Sequence, residues 1–256
     1  MAFRPSECAH YNGPTQLNIS LAQTDIHFGE PAANFETVTR MTEEAKRRGS
    51  DLILFPELWS TAYDLTNAAR YASSLTSGLF ADLSALAKRT GIFLLGSTLS
   101  LLGENKFGNT LTVFAPDGTL LADYSKIHLF RLMDEHQHLT AGDKPVLVEL
   151  PSGRAGLAIC YDLRFPELFR GYALAGAEMT FLPAEWPHPR LSHWQTLVRA
   201  RAIENQMFVF ACNRVGRDAS NEFFGHSMAV DAWGEILAEG GEGEKLITFA
   251  VDLSKV

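Results

Sequence analysis

The chain has few cysteines, no excess of positive charge and no long apolar segment. Its 256 residues include only three cysteines, an odd number without metal-like spacing, which favours a reducing, cytoplasmic location. No apolar run approaches the ~20 residues of a membrane span, and polar residues 1–14 lack the apolar region of a signal peptide. With a net charge of −8 and no basic stripe, we expect no nucleic-acid partner and no membrane partner.

Strand and helix signals alternate along the whole chain. Hydrophobic residues make up 46% and charged residues 20%, as in ordinary globular proteins, and no low-complexity linker divides the chain. We predict strands at 17–23, 51–55, 92–99, 109–114, 120–124, 146–150, 154–159, 178–182, 207–212, 227–232 and 246–251, and helices at 34–48, 78–89, 166–175 and 191–205. This order predicts an α/β fold, with residues 1–16 as an N-terminal extension and residues 17–256 as one domain.

The second half of the sequence echoes the first. Gly49–Pro56 resembles Gly176–Pro183, and Phe107–Gly118 resembles Phe224–Gly234. At roughly 120 residues this period is far longer than the ~20–50 residues of a solenoid repeat. We interpret it as two similar α/β halves whose sheets stack, which would give a four-layer α-β-β-α sandwich. A chance recurrence and an ordinary three-layer sheet stay open as alternatives.

Cys160 stands where the apolar run Ala155–Cys160 meets Tyr161–Glu167. We predict a strand-to-helix turn here, because Pro166 is typical of the first turn of a helix. Free backbone N–H groups and the positive end of a helix would lower the pKa of a thiol and stabilise an oxyanion. A cysteine in an apolar run is also commonly a buried structural residue, so its role depends on the rest of the chain.

Two charged residues end other predicted strands. Glu57 follows an apolar strand directly behind Pro56, and Lys126 lies among apolar residues after the strand that ends at Tyr124. An ammonium in apolar surroundings is costly unless it is paired. If these strand ends converge on Cys160, Glu57 can accept the thiol proton and Lys126 can stabilise the developing negative charge. A solvated loop glutamate and a surface lysine are the simpler alternatives.

Three segments together resemble the catalytic motifs of the nitrilase superfamily of carbon–nitrogen hydrolases, in the family's order. They are Phe55–Glu57, Tyr124–His128 and Cys160–Glu167. The resemblance implies the α-β-β-α sandwich, a triad of the glutamate, lysine and cysteine named above, and a homodimer. We expect no cofactor and no metal. Family members also commonly carry a second glutamate between the lysine and the cysteine. Glu135 is the candidate here, with Asp134 beside it as the alternative.

Longer matches are similar to the omega-amidase branch of the superfamily, especially its bacterial members. They lie at Phe130–His136, Cys160–Arg164, Trp186-Pro187, His193–Leu197, Arg199–Gln206 and Cys212–Gly216. Proteins of that branch release ammonia from omega-amides of 2-oxo dicarboxylates, such as 2-oxoglutaramate. One difference is Glu185, which stands where those proteins usually carry Asn before Trp-Pro. A carboxylate facing the pocket would repel an anionic substrate unless it is protonated or paired with an arginine.

The resemblance predicts an omega-amidase that hydrolyses small dicarboxylate monoamides, such as 2-oxoglutaramate or succinamate, through a cysteine thioester. We expect the N–H of Tyr161 to help hold the oxyanion and Trp186 to line the pocket. Arg164 lies about one helical turn beyond Cys160 and can bind the distal carboxylate, unless it braces the turn through Glu167 or Asp162. An N-carbamoyl amino-acid amidohydrolase is the alternative within the superfamily. A catalytically silent binding or scaffold protein is the alternative of another class.

For the homodimer, we expect the contact on the helix after Cys160. The apolar residues of this helix are Leu168, Phe169, Tyr172 and Leu174. In the simpler alternative, these residues cover the chain's own sheet.

Overall fold

The computed structural model describes residues 16–255, so nearly all of the predicted N-terminal extension, including Cys8, lies outside the described residues. The strands are β1 (Gln16–Gln23), β2 (Leu52–Leu54), β3 (Phe93–Gly103), β4 (Lys106–Phe114), β5 (Leu120–Ser125), β6 (Leu147–Leu150), β7 (Gly153–Leu157), β8 (Met179–Ala184), β9 (Phe208–Asn213), β10 (Val215–Arg217), β11 (Glu222–Phe224), β12 (Met228–Val230), β13 (Ile236–Glu239) and β14 (Lys245–Asp252).

The helices are α1 (Pro31–Arg47), α2 (Ala68–Tyr71), α3 (Gly78–Thr90), α4 (Glu135–His138), α5 (Pro166–Leu174) and α6 (Leu191–Asn205). Short 3₁₀ turns lie at Leu65–Asn67, Arg131–Met133, Cys160–Arg164 and Leu253–Lys255. Within residues 16–255, none of these helices combines the length and the hydropathy needed to cross a bilayer.

The two large sheets have the same construction. The first has the strand order β14-β1-β2-β3-β4-β5, and the second has the order β6-β7-β8-β9-β12-β13. In each sheet three parallel strands, β1-β2-β3 or β7-β8-β9, are flanked by antiparallel neighbours. The echoed sequences fall on β2 and β8 and on β4 and β12, which hold the same places in their sheets. The prediction of an α/β fold built from two similar halves is therefore confirmed.

Alternating side chains give the first sheet two apolar faces, because successive residues of a strand point to opposite sides. Leu52 and Leu54 belong to a core cluster that also contains Phe181 and Phe210 of the second sheet. Ile53, between them, belongs to a separate cluster with residues of α1 and α3. The first sheet thus contacts the second sheet on one side and helices on the other. This distribution agrees with an α-β-β-α order of layers.

Helix α5 packs mainly on its own chain. Phe169 and Tyr172 are at most 1% exposed and Leu168 is 8% exposed, all within the core cluster shared by the two sheets. Only Leu174 of the predicted dimer face is open, at 56%. The expectation that these four residues form a contact surface is wrong for three of them, because they cover the chain's own sheet.

Candidate active site

Three strand ends bring the predicted catalytic side chains together. Glu57 follows β2 after Phe55-Pro56, Lys126 directly follows β5, and Cys160 lies three residues beyond β7. The side chains of Glu57 and Lys126 are fully buried, and Cys160 is 4% exposed. The first two come from one sheet and the cysteine from the other, so the site exists only because the two halves pack together.

A buried charge network forms the centre of the site. The Nζ atom of Lys126 lies 2.7 Å from Oε1 of Glu57 and 2.7 Å from Oε1 of Glu135. The other oxygen of Glu135 accepts the backbone N–H of Phe130 at 2.5 Å. Asp134, by contrast, is exposed and bonds Gln137. The structure therefore places Glu135, and not its neighbour, in the network.

Burial and the neighbouring charges both shift the pKa values of the network. Burial acts to lower the pKa of Lys126, but Glu135 and Glu57 outweigh it, so this pKa is raised well above its usual value. Burial raises the pKa of Glu57, Lys126 opposes the rise, and Glu135 adds to it. A lysine held as an ammonium between two carboxylates supplies a fixed positive charge, and a glutamate with a raised pKa is a stronger base.

Two residues of the network were missed in the sequence. Tyr63 donates its hydroxyl to Oε1 of Glu135 at 2.9 Å, and Asn109 donates Nδ2 to Oε1 of Glu57 at 2.8 Å. Asn109 carried a readable signal, because a polar amide side chain in a predicted strand, 109–114, needs a hydrogen-bond partner when the strand is buried. Tyr63 lies in an irregular segment, where no periodicity indicated its direction.

Cys160 sits in a sharp, strained turn. Its φ of 46° is in the left-handed region, which costs a non-glycine residue about 1–3 kcal/mol. Cys160 begins the 3₁₀ turn, whereas α5 begins only at Pro166. The predicted turn is therefore present, and the α-helix begins at Pro166 as predicted, with a 3₁₀ turn between it and the strand. Among the described residues, no acceptor bonds the N–H of Tyr161, so this donor is available beside the sulfur.

The pKa of the Cys160 thiol is raised, whereas the sequence predicted that it would be lowered. Burial raises the pKa of Cys160 well above its usual value, the nearby Glu57 carboxylate adds to the rise, and Lys126 opposes it. Desolvation is the largest cause, and it outweighs the lowering by Lys126 and by the backbone N–H of Glu185. Burial and the neighbouring carboxylate therefore both favour the neutral thiol over the thiolate.

Asp162 ties the lysine loop to the cysteine turn. Its Oδ2 accepts the hydroxyl of Tyr124, two residues before Lys126, at 2.7 Å. The same oxygen accepts the N–H of Ile159, directly before Cys160, at 2.8 Å. Its Oδ1 lies 2.7 Å from Nδ1 of His128. A second brace comes from α6, where Nη2 of Arg201 donates to the carbonyl of Leu163 at 2.8 Å.

A small recess opens above the thiol. It encloses a volume of only about 20 Å³ and is lined by Phe130, Cys160, Tyr161, Arg164, Glu185, Trp186, Pro187 and Arg190. The indole N–H of Trp186 donates to the carbonyl of Cys160 at 3.3 Å. The Arg164 guanidinium lies over the Trp186 ring at 4.8 Å and contacts Nδ1 of His193 at 3.2 Å. Within residues 16–255, neither Asp162 nor Glu167 pairs with Arg164.

The carboxylate of Glu185 is paired behind the recess. Its Oε2 lies 2.9 Å from Nη1 of Arg214, and both side chains are fully buried. Burial raises the pKa of Glu185 to about 8, against the opposing effect of Arg214. The backbone N–H of Glu185 faces the site and donates to Oε2 of Glu57 at 3.1 Å. Of the two possibilities considered above, protonation and pairing with an arginine, the structure contains the pairing.

In the part of the chain that the structure describes, no group of three or more His, Cys, Asp or Glu side chains is arranged to hold a metal ion.

Comparison with known proteins agrees with this geometry. Residues 18–256 match the family described as carbon-nitrogen hydrolase. The 2-oxoglutaramate amidase of Bacillus subtilis is 40% identical over 93% of this chain and 91% of its own length. Human omega-amidase NIT2 is 34% identical over 94% and 91%. A solved structure of a Nesterenkonia sp. AN1 amidase mutant, with the acetamide moiety of fluoroacetamide added covalently at its active-site cysteine, gives a TM-score of 0.87 at 25% identity, covering 93% of this chain and 92% of that one.

We predict that Lys126→Met makes stability fall as pH rises. Without the ammonium, the pKa of Glu57, already raised by burial, rises further, so the folded protein holds a proton that the unfolded chain releases above about pH 4.3. The free energy of unfolding of the variant, relative to the wild type, should therefore decrease between pH 5 and pH 8 in urea titrations. Lys144→Met, which removes an exposed lysine, is the control. A difference from the wild type that is constant with pH would contradict the pairing.

Proposed function

This chain belongs to the carbon–nitrogen hydrolase family, and we propose that it is an omega-amidase that hydrolyses the terminal amide of small dicarboxylate monoamides. The observation that carries the proposal is a buried carboxylate–ammonium network next to a thiol, which itself lines one small recess together with an arginine. A catalytically silent protein would have no reason to keep three charges buried at this point, because burial of each is costly.

In the proposed first half-reaction, the amide carbon lies against Sγ of Cys160. Glu57 takes the thiol proton as the C–S bond forms. The amide oxygen becomes an oxyanion, which the ammonium of Lys126 and the N–H of Tyr161 stabilise. The C–N bond then breaks as Glu57 returns the proton to the leaving nitrogen, which departs as ammonia and leaves a thioester on Cys160.

In the second half-reaction, Glu57 takes a proton from water as the oxygen attacks the thioester carbon. The same two donors stabilise the new oxyanion. The C–S bond breaks, the carboxylic acid leaves, and Glu57 returns its proton to the sulfur. Glu135 holds Lys126 in place through its 2.7 Å contact, and Tyr63 and Phe130 hold Glu135. The cysteine adduct of the Nesterenkonia amidase supports the covalent step.

The recess supports a small substrate with a distal carboxylate. Its walls include Phe130 and Trp186, which limit length and bulk, and the guanidinium of Arg164, which has no carboxylate partner among the described residues. A guanidinium binds a carboxylate in a bidentate manner and would fix the amide against the sulfur. The Bacillus subtilis relative, named for 2-oxoglutaramate, supports the same substrate class.

We also propose that residues 17–256 form one catalytic domain that works in the cytoplasm. Strands β1 and β14 come from opposite ends of this region and pair along their whole length, which supports a single unit. The two described cysteines, Cys160 and Cys212, are free thiols, as expected in a reducing compartment.

We propose that the protein is a homodimer, and we expect light scattering at micromolar concentration to give about twice the 28.2 kDa chain mass. Leu174, Ile203 and Trp233 are 56%, 50% and 80% exposed, which supports an apolar contact surface at α5, α6 and the turn before β13. Trp233→Glu should weaken the dimer. Leu132→Glu, at a 78% exposed leucine elsewhere, should not. A monomeric wild type would refute the proposal.

For the nucleophile, we predict that Cys160→Ala folds but loses turnover by several orders of magnitude, as other enzymes do without their covalent nucleophile. Cys212→Ala is the control, because Cys212 is fully buried away from the recess and should leave turnover nearly unchanged. Ammonia release is the measurement. Iodoacetamide should inactivate the wild type in proportion to labelling of Cys160, and inactivation without that labelling would remove Cys160 from the mechanism.

For the substrate, we predict that Arg164→Lys raises KM for succinamate far more than for butyramide, which has a methyl group in place of the carboxylate. A lysine keeps the charge but loses the bidentate fork. Steady-state ammonia release on both amides, on 2-oxoglutaramate and on an N-carbamoyl amino acid measures this. Equal losses on succinamate and butyramide would make Arg164 structural. Faster wild-type turnover of the carbamoyl compound would favour the alternative amidohydrolase.

A further inference from the structure

A second arginine lines the same recess. Arg190 is the residue directly before α6, and its guanidinium carbon lies 5.7 Å from the centroid of the Phe130 ring. Across residues 16–255, no carboxylate or other acceptor bonds its side chain. All five N–H donors of this guanidinium are therefore available to a ligand in the recess.

The lack of a partner is unusual in so acidic a chain. Acidic residues outnumber Lys and Arg by 30 to 22, and arginines near the site do have acidic partners. Arg214 pairs with Glu185 at 2.9 Å, and Arg201 pairs with Glu204 at 2.8 Å. At the recess, by contrast, Arg164 and Arg190 together leave two positive charges without carboxylate partners. Such a pair of cations favours an anionic group at this position.

Negative charge predominates deeper in the site. Glu57 and Glu135 share the one ammonium of Lys126, so carboxylates outnumber cations there. A monoamide of a dicarboxylic acid is neutral at one end and anionic at the other. The neutral amide can approach the carboxylates, whereas the anionic end is repelled by them and attracted to the two arginines. The charges therefore select one orientation of the substrate, with the amide carbon at the sulfur.

The two arginines are not equivalent. Arg164 is held in place by the Trp186 ring and by His193, which uses part of its hydrogen-bonding capacity. The guanidinium of Arg190 lies beside the Phe130 ring, and no hydrogen bond to residues 16–255 engages its N–H groups. A carboxylate offers about four lone-pair positions on two oxygens, more than one partly engaged guanidinium satisfies. We propose that Arg190 is a second specificity-determining residue, which binds the distal carboxylate of the substrate together with Arg164. This inference rests on the proposed omega-amidase function.

The test compares Arg190→Gln with the wild type on succinamate and butyramide. Loss of a charge-assisted bidentate contact should raise KM for succinamate roughly 10- to 100-fold and leave butyramide kinetics unchanged. Arg190→Lys should fall between, because it restores the charge without the fork. Arg217→Gln is the matched control, since it removes one positive charge from an exposed side chain outside the recess. It should change neither substrate.

The outcomes separate this inference from the proposed function. Equal losses on both amides, or no loss on either, would overturn the role of Arg190 while leaving the amidase intact. If the wild type releases ammonia from neither amide, the proposed function fails. Calorimetric titration of succinate into the wild type and into Arg190→Gln then tests, independently of turnover, whether Arg190 binds a carboxylate. Weaker succinate binding by the variant supports the carboxylate site, and unchanged binding refutes it.

Discussion

The burial of two carboxylates and one ammonium at a single point is the constraint on which the rest of the structure depends. Each of these charges alone would be very costly in the core, and they are tolerated only when they are paired and hydrogen-bonded together. Lys126 satisfies this by lying 2.7 Å from both Glu57 and Glu135. The strand ends that carry these side chains must therefore meet accurately. The pairing that makes these buried charges tolerable also aligns a carboxylate and an ammonium with the thiol of Cys160.

The two similar halves of the fold bring one glutamate from each sheet to the same place. Glu57 follows β2, and Glu185 follows β8, the strand at the equivalent position of the other sheet. The N–H of Glu185 bonds the carboxylate of Glu57 at 3.1 Å. Two free carboxylates this close would repel each other. Arg214 pairs with Glu185, whereas Glu57 pairs with Lys126, so a symmetric framework carries an asymmetric site.

Much of this arrangement was predictable from the sequence, and the exceptions have physical causes. Strongly periodic elements were placed to within a few residues, and α6 was placed at its observed bounds. The short strands β10, β11 and β13 gave too few residues for a period to be visible. The apolar face of α5 was recognised, but sequence does not tell which surface such a face covers.

The sequence also predicted some features of the site and not others. Motif spacing brought out Glu57, Lys126 and Cys160, because each ends an apolar run. The choice of Glu135 over Asp134 depends on which of two adjacent side chains turns inward, and that is decided by the local turn rather than by composition. The sign of the pKa shift at the thiol was also mistaken. It depends on how completely water is excluded, a property of the packed protein and not of the turn alone.

The pairing of β1 with β14 has a consequence for how the protein is made. Gln16 lies opposite Asp252 and Gln23 opposite Lys245, so the first strand of the sheet receives its outer neighbour from the far end of the chain. On the ribosome, the N-terminal half emerges first with this edge unpaired and prone to contact other chains. The first sheet is complete only after the second half has been synthesised.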